Sequence, residues 1–195
     1  TTYQEGDPSP YNDKNKLVSV GINKEYYFFN HKDNPNGHDN FDKIQNILNE
    51  STLVIGHNLK FDLSWMYWQG WKYNGDIYDT MLGEYIIRRG QKVDEHNKLI
   101  SLSLKESCKR RGLGIKSDIF KAYTDDGFGI DEIPMEKLEE YGRVDVDITY
   151  KLYQSQIQDY QRPHNKKLIP TRNMMNQFLR VIIEMEMNGN CINVD

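Results

Sequence analysis

LVIGHNLKFDLSWM, residues Leu53 to Met66, is the stretch whose reading decides the fold. Leu53, Val54 and Ile55 form a short apolar run ended by Gly56, which reads as an interior strand leaving a sheet. Asn58 is a residue type favoured at helix N-caps, and Leu59, Asp62, Leu63 and Met66 follow at helical spacing. The pattern predicts a helix with Asp62 on or beside the stripe that faces the protein. Asn58 lies one turn before Asp62, and the two project together.

A second carboxylate breaks an apolar pattern downstream, in YGRVD at Tyr141 to Asp145. After Pro134, expected at a first helical position, Leu138, Tyr141, Asp145, Ile148 and Leu152 recur at spacings of three and four, which is one helix face. Asp145 thus stands where an apolar residue belongs, and an unpaired buried carboxylate costs several kcal/mol unless a cation or donor compensates it. No Lys or Arg shares that seam. A metal ion reaching both Asp62 and Asp145 is the simplest compensation, and hard divalent cations such as Mg²⁺ take carboxylate oxygens.

Around these two segments the chain alternates strands and helices. Thr1 to Lys16 reads as an exposed loop with Gly6, Pro8 and Pro10. Leu17 to Ile22 and Glu25 to Phe29 form a hairpin turned at Asn23-Lys24, and Phe41, Ile44, Ile47 and Leu48 mark a short helix. Ile77 and Tyr78 form a strand followed by a helix with Met81, Leu82, Tyr85 and Ile86 on one face, stopped by Gly90. Ser103 and Glu106 make a capping box. Gly112 to Ile133 is expected to be a long loop, a flap near the substrate. Residues 162–170 read as a linker, and a last helix over Thr171 to Asn188 puts Met175, Phe178, Ile182 and Met185 on one face with Gly189 as its C-cap. Strands first and helices interleaved afterwards give an α/β domain with a mixed sheet flanked by helices.

Composition narrows the function. The 195 residues can bury one real core, and a net charge of -4 argues against a surface that coats duplex nucleic acid, while leaving room for a local site. Cys108 and Cys191 offer neither a disulfide framework nor metal-ligand spacing, which points to a reducing compartment such as the cytoplasm. The sequence has no apolar run of membrane-spanning length, so no membrane partner is expected.

His57-Asn58-Leu59-Lys60-Phe61-Asp62 and Tyr141-Gly142-Arg143-Val144-Asp145 resemble the second and third motifs of the 3′ to 5′ exonuclease domain of family A, DNA polymerase I-like polymerases, the tyrosine-bearing DEDD class. Asp79-Thr80-Met81-Leu82 between them resembles a strand-to-helix junction of that family. The resemblance covers roughly Leu17 to Tyr153 and implies a ribonuclease H-like sheet. It also implies two divalent cations, Mg²⁺ or Mn²⁺, with Asp62 and Asp145 as ligands, and the Tyr141 hydroxyl orienting the attacking water. A Tyr has an ordinary pKa of about 10, so positioning suits it better than proton abstraction. Asn58 and Phe61, with His57, would contact the terminal nucleotide of a single-stranded DNA 3′ end.

In that family the first strand ends in Asp, any residue, and Glu, usually followed by Thr. This chain opens Thr1-Thr2, so the first strand and half of the cation site are expected to lie upstream. Glu5-X-Asp7 has the reverse order and sits in a Pro-rich loop, which makes it a poor substitute. The piece alone is expected to fold badly and hydrolyse nothing. The resemblance divides it into an exonuclease domain over 1–161, a linker over 162–170 and the start of the polymerase domain over 171–195, where Glu184 to Gly189 resembles the opening of that portion. The expected partners are the DNA 3′ end and the polymerase domain of the same protein, in a monomer. Two other functions fit the motifs: a ribonuclease D-like enzyme acting on RNA, and a module that has lost catalysis and binds single strands.

Other polar residues read as structural. Asp79 precedes a helix and is expected to be its N-cap, and Asp147 pairs with Lys151 one turn later. Lys109-Arg110-Arg111 lies in a helix's last turn, where cations favour the dipole, and Trp65, Trp68 and Trp71 read as packing.

Overall fold

The computed structural model describes residues 2–3, 5–6, 9–34, 37–114, 123 and 125–189. The flap expected over 112–133 falls partly outside them, as do Asp7 and Cys191.

The opening segment is not the free loop its prolines suggest. It folds back so that β1 (Thr2–Tyr3) pairs antiparallel with β2 (Lys16–Leu17). The buried Asn15 closes the turn, accepting from Glu5 N at 2.7 Å and donating to Ser9 O at 2.8 Å. A buried amide with both ends satisfied holds a Pro-rich segment that has no ladder of its own.

The hairpin forms as expected. β3 (Ser19–Ile22) and β4 (Glu25–Phe28) pair antiparallel from Ser19↔Phe28 to Ile22↔Glu25, and Asn23 takes the left-handed turn position at φ 54°. Helix α1 (Phe41–Glu50) buries Ile44 and Leu48. β5 (Leu53–Gly56), α2 (Leu59–Trp68) and β6 (Asp76–Asp79) then make a parallel strand-helix-strand unit, registered Leu53↔Asp76 through Gly56↔Asp79, and α3 (Thr80–Ile87) follows directly. α4 (Leu104–Arg110) starts at Ser103, whose hydroxyl accepts from Glu106 N at 3.4 Å.

The longest element is α5 (Met135–Gln161). Pro134 stands one residue earlier than expected, as the N-cap with ψ 132°, because an extended residue must precede the first helical turn. The 162–170 segment contains α6 (Pro163–Lys166) and the first residues of α7 (Ile169–Asn188).

The fold is mixed α/β with small sheets. The strands do not form one continuous sheet: the described residues pair as three two-stranded ladders. α5 packs against both β3 and β5, so those ladders are joined through side chains and not through backbone bonds. The main core gathers Tyr27 and Phe29 from the hairpin segment, Ile44 and Leu48, and Leu59, Leu63 and Trp65 around Trp71. Trp71 stacks on Phe41 at 5.3 Å and donates Nε1 to Phe41 O at 3.1 Å, while Trp68 is exposed. Trp65 and Trp71 pack in the core, and the half-exposed Trp68 packs edge-on against Tyr11 with ring centroids 5.2 Å apart. Among the described residues, no helix is long and apolar enough to cross a membrane.

α7 corrects the expected face. It buries Asn176, Leu179 and Ile183 against α2, α3 and β6, while Phe178 and Met185 stay 54% and 61% exposed. Polar anchors set this rotation. Asn176 accepts the N–H of Asp79 at 2.7 Å, Arg180 donates to Tyr73 O at 3.0 Å and also to Gly75 O, and Lys60 pairs with Glu186 at 2.7 Å.

Candidate active site

The parallel strands β5 and β6 end side by side, Gly56 opposite Asp79, and a helix N-terminus follows each. Sequence patterning makes Asp79 a cap for α3. The structure gives it two helices. Asp79 Oδ1 accepts from Met81 N at 2.7 Å and Leu82 N at 3.4 Å, and the same carboxylate takes the N–H groups of Asn58 and Leu59 at 3.0 Å each. Asp79 is 1% exposed, and burial raises its pKa although the four N–H donors pull the other way.

That arrangement changes the role of Asn58. It occupies the N-cap position of α2 but in the left-handed region, at φ 59° and ψ 48°, and its side chain makes no cap bond. The cap comes from Asp79 instead, which leaves the exposed Asn58 side chain outside the helix start. Nothing local to the HNLKFD motif signals this, because the capping carboxylate lies about twenty residues on.

His57 is set beside the same junction. Thr80 Oγ1 donates its one hydrogen to Gly56 O at 3.0 Å, so at the 2.9 Å contact with His57 the hydroxyl oxygen accepts and Nδ1 carries the proton. The half-buried Phe61 packs against the main core, its N–H on Asn58 O at 3.0 Å.

Asp62 lies in the first turn of α2 and is open to water. Its carboxyl is nevertheless raised to about 6, first by desolvation and then by the negative charges of Asp79 and Asp145. Asp145 therefore comes near enough for its charge to be felt at Asp62, although its motif is 83 positions away by the two residue numbers. It is half-buried on α5, one turn after the half-buried Tyr141. The rest of YGRVD has a packing reason. A Cβ on Gly142 would stand 2.8 Å from Tyr26 Cζ and closer still to the neighbouring ring carbon, and Arg143 forks onto Glu139 while donating to Lys24 O.

Three carboxylates thus meet electrostatically, and Asp79 among them is taken up in capping. No group of three or more His, Cys, Asp or Glu able to hold a metal ion occurs among the described residues. The chemistry of Asp62 and Asp145 fits a hard divalent ion, which would relieve the repulsion that raises Asp62, and the fit is that of a partial donor set.

The 3′-5′ exonuclease family of the DNA polymerase A type matches residues 6–158, which contain both strands of the parallel unit and both acidic motifs. DNA polymerase I of Borreliella burgdorferi is 27% identical over 147 residues, 75% of this chain and 15% of that protein. The chain thus spans a small part of the length of the curated relative it matches. On the extent of the family match, the chain belongs to the 3′-5′ exonuclease domains of the DNA polymerase I family.

Proposed function

We propose that this domain removes nucleotides from the 3′ end of single-stranded DNA by metal-dependent hydrolysis, as the proofreading part of a DNA polymerase. The observation that supports the reading is that the charge of Asp145, from one acidic motif, is felt at Asp62, from the other. Asp62 and Asp145 would hold divalent cations, Mg²⁺ or Mn²⁺. Such ions would activate water and neutralise the phosphate at the departing 3′ oxygen.

The chain's own residues bind and orient. The exposed Asn58 side chain offers an amide to sugar or phosphate, and Phe61, one turn before Trp65, offers a ring edge to the terminal base. His57 is oriented by Thr80 at the same junction and adds a polar group at the nucleotide. Tyr141, one turn before Asp145, holds the attacking water by its hydroxyl. Residues 171–195 belong in this reading to the start of the polymerase domain, with 162–170 as the connection.

A nuclease assay on the full-length protein tests the proposal. Mg²⁺-dependent release of nucleotides from a DNA 3′ end is the expected result. Preference for RNA would move the assignment to a ribonuclease D-like activity, and strand binding without hydrolysis would make the domain a binding module.

A further inference from the structure

We propose that an open pocket walled by the C-terminal ends of α3, α4 and α5 is a phosphate-binding site in which Arg88 takes the charge of the anion. The pocket has a volume of about 370 Å³, within the range of about 300–1,000 Å³ common for small-molecule sites. Four guanidinium groups line it, from Arg88, Arg110, Arg111 and Arg162, against two carboxylates, Glu84 and Asp159. On a chain of net charge -4 this is a local excess of two positive charges, four minus two.

The two carboxylates are already satisfied. Arg111 forks onto Glu84 with Nε at 2.9 Å and a terminal nitrogen at 2.8 Å, and reaches Asp159 at 2.6 Å and Ser155 Oγ at 3.0 Å. Gln156 adds a bond to Glu84 at 3.3 Å, and Arg162 adds a contact to Asp159 at 3.2 Å. Arg88 has no such partner: its Nε is buried with no hydrogen bond among the described residues. Removing a guanidinium N–H from water without replacing the bond costs stability, and an anion entering the pocket restores it.

Capping does not account for the cluster. The last carbonyls of α3 and α4 are taken by backbone, Gly90 N on Tyr85 O at 2.9 Å and Leu113 N on Cys108 O at 3.0 Å. Arg110 is held by Ser101 O at 2.7 Å and Ser107 Oγ at 3.1 Å, and Arg111 and Arg162 by the two carboxylates, so among the described residues Arg88 is the lining guanidinium left for a ligand. A planar fork suits phosphate, and the Ser155 hydroxyl, whose oxygen accepts from Arg111, keeps its hydrogen for the same ligand. The phosphate could come from a free small molecule or from a nucleic acid strand. Ser155 lies on the same helix as Asp145, about 15 Å further along the axis, so an upstream part of a strand held at Asp62 could reach it. The phosphate site itself does not depend on the nuclease reading.

Thermal denaturation of the purified protein in sodium phosphate, against sodium chloride at equal ionic strength, tests the proposal. Phosphate should raise the melting temperature, Arg88→Gln should weaken the apparent phosphate affinity by about tenfold or more, and Arg89→Gln, at an exposed neighbour, should leave it unchanged. If Arg88→Gln does not fold, as judged by circular dichroism, Arg162→Gln at its exposed position carries the same comparison. No phosphate-specific shift, or an undiminished shift in the variant that folds, overturns the proposal. Binding of a short single-stranded oligonucleotide then identifies the source. A salt slope reduced by about one in the variant assigns the phosphate to a strand, and an unchanged slope assigns it to a free phosphate compound.

Discussion

The carboxylate of Asp79 holds the N–H of Leu59 at 3.0 Å, and so the helix carrying Asp62 is fixed by a residue of the next strand and not by its own N-cap. The same group takes Met81 N at 2.7 Å, which locks α2 and α3 to one buried point at the ends of β5 and β6. Asp79→Ala would remove two caps, each worth about 1 kcal/mol, and strand N–H groups in a site with 1% exposure. The expected loss is about 2–4 kcal/mol in urea denaturation. Asp79→Asn should cost less, since its one carbonyl oxygen can still accept from the Oδ1 partners but not from Leu59 as well.

A second consequence reaches α7. Asn176 accepts the backbone N–H of Asp79 at 2.7 Å and donates to Arg172 O at 2.9 Å, all in a site where it is 3% exposed. Asn176→Ala orphans that buried N–H, and a loss of about 1–3 kcal/mol is expected, whereas Phe178→Ala on the exposed face should change stability by under about 1 kcal/mol. Paired chemical denaturation curves decide between the two faces.

This helix also marks where reading the sequence ran out. Met174, Met175, Phe178, Leu179, Val181, Ile182, Ile183 and Met185 are apolar around more than half of its circumference, so periodicity supports more than one buried stripe. The choice was made by Asn176 and Arg180, polar residues whose partners are backbone groups about a hundred positions earlier. The strand-helix-strand unit at Leu53 to Asp79, the hairpin and the long helix from Met135 were legible because their signals are local. The separate ladders, the folded-back opening and the shared cap of Asp79 were not, since each depends on a contact between distant segments. At the site, Asp145 stands out in the sequence as an exception to apolar patterning, whereas Arg110 and Arg111 of the pocket read only as last-turn cations and Arg88 carried no signal.

Gly142 is held to a hydrogen by Tyr26. The ring is fixed on the far side by a 2.6 Å bond between its hydroxyl and Ser19 Oγ, so it cannot swing away without losing that bond. Gly142→Ala is expected to destabilise by about 1–3 kcal/mol despite the better helix propensity of Ala. Combining it with Tyr26→Ala should remove most of the added cost. A double-mutant cycle by thermal or urea denaturation measures that coupling.

The raised pKa of Asp62 gives a pH dependence with a definite sign. In the metal-free protein the folded state binds the proton up to about pH 6, and the unfolded state releases it near the ordinary Asp value of 3.8. Between those values the folded state holds more protons, so stability falls as pH rises, and the penalty is complete above about pH 6 and absent below about pH 4. Asp62→Asn should therefore stabilise the metal-free protein at pH 7, by up to about 1 kcal/mol given the screening that solvent access brings, and the gain should vanish by about pH 4. Added Mg²⁺ should raise the melting temperature of the parent more than that of the variant. Denaturation of both proteins across pH, with and without Mg²⁺, tests the sign.

Asp145 separates catalysis from stability. Its half-buried carboxylate adds to the repulsion at Asp62, so Asp145→Ala relieves a like-charge interaction when no cation is bound, and the fold should keep its stability within about 1 kcal/mol. In the full-length protein, the same substitution should slow Mg²⁺-dependent hydrolysis of single-stranded DNA by about a thousandfold, the scale of losing an electrostatic group at the reacting centre. Asp147→Ala, two residues along at an exposed pair with Lys151, serves as the matched control and should keep the parent rate. Parent-like hydrolysis by Asp145→Ala would remove Asp145 from the site. Equal slowing by both variants would point to a disturbed helix instead, because only Asp145 has its charge felt at Asp62.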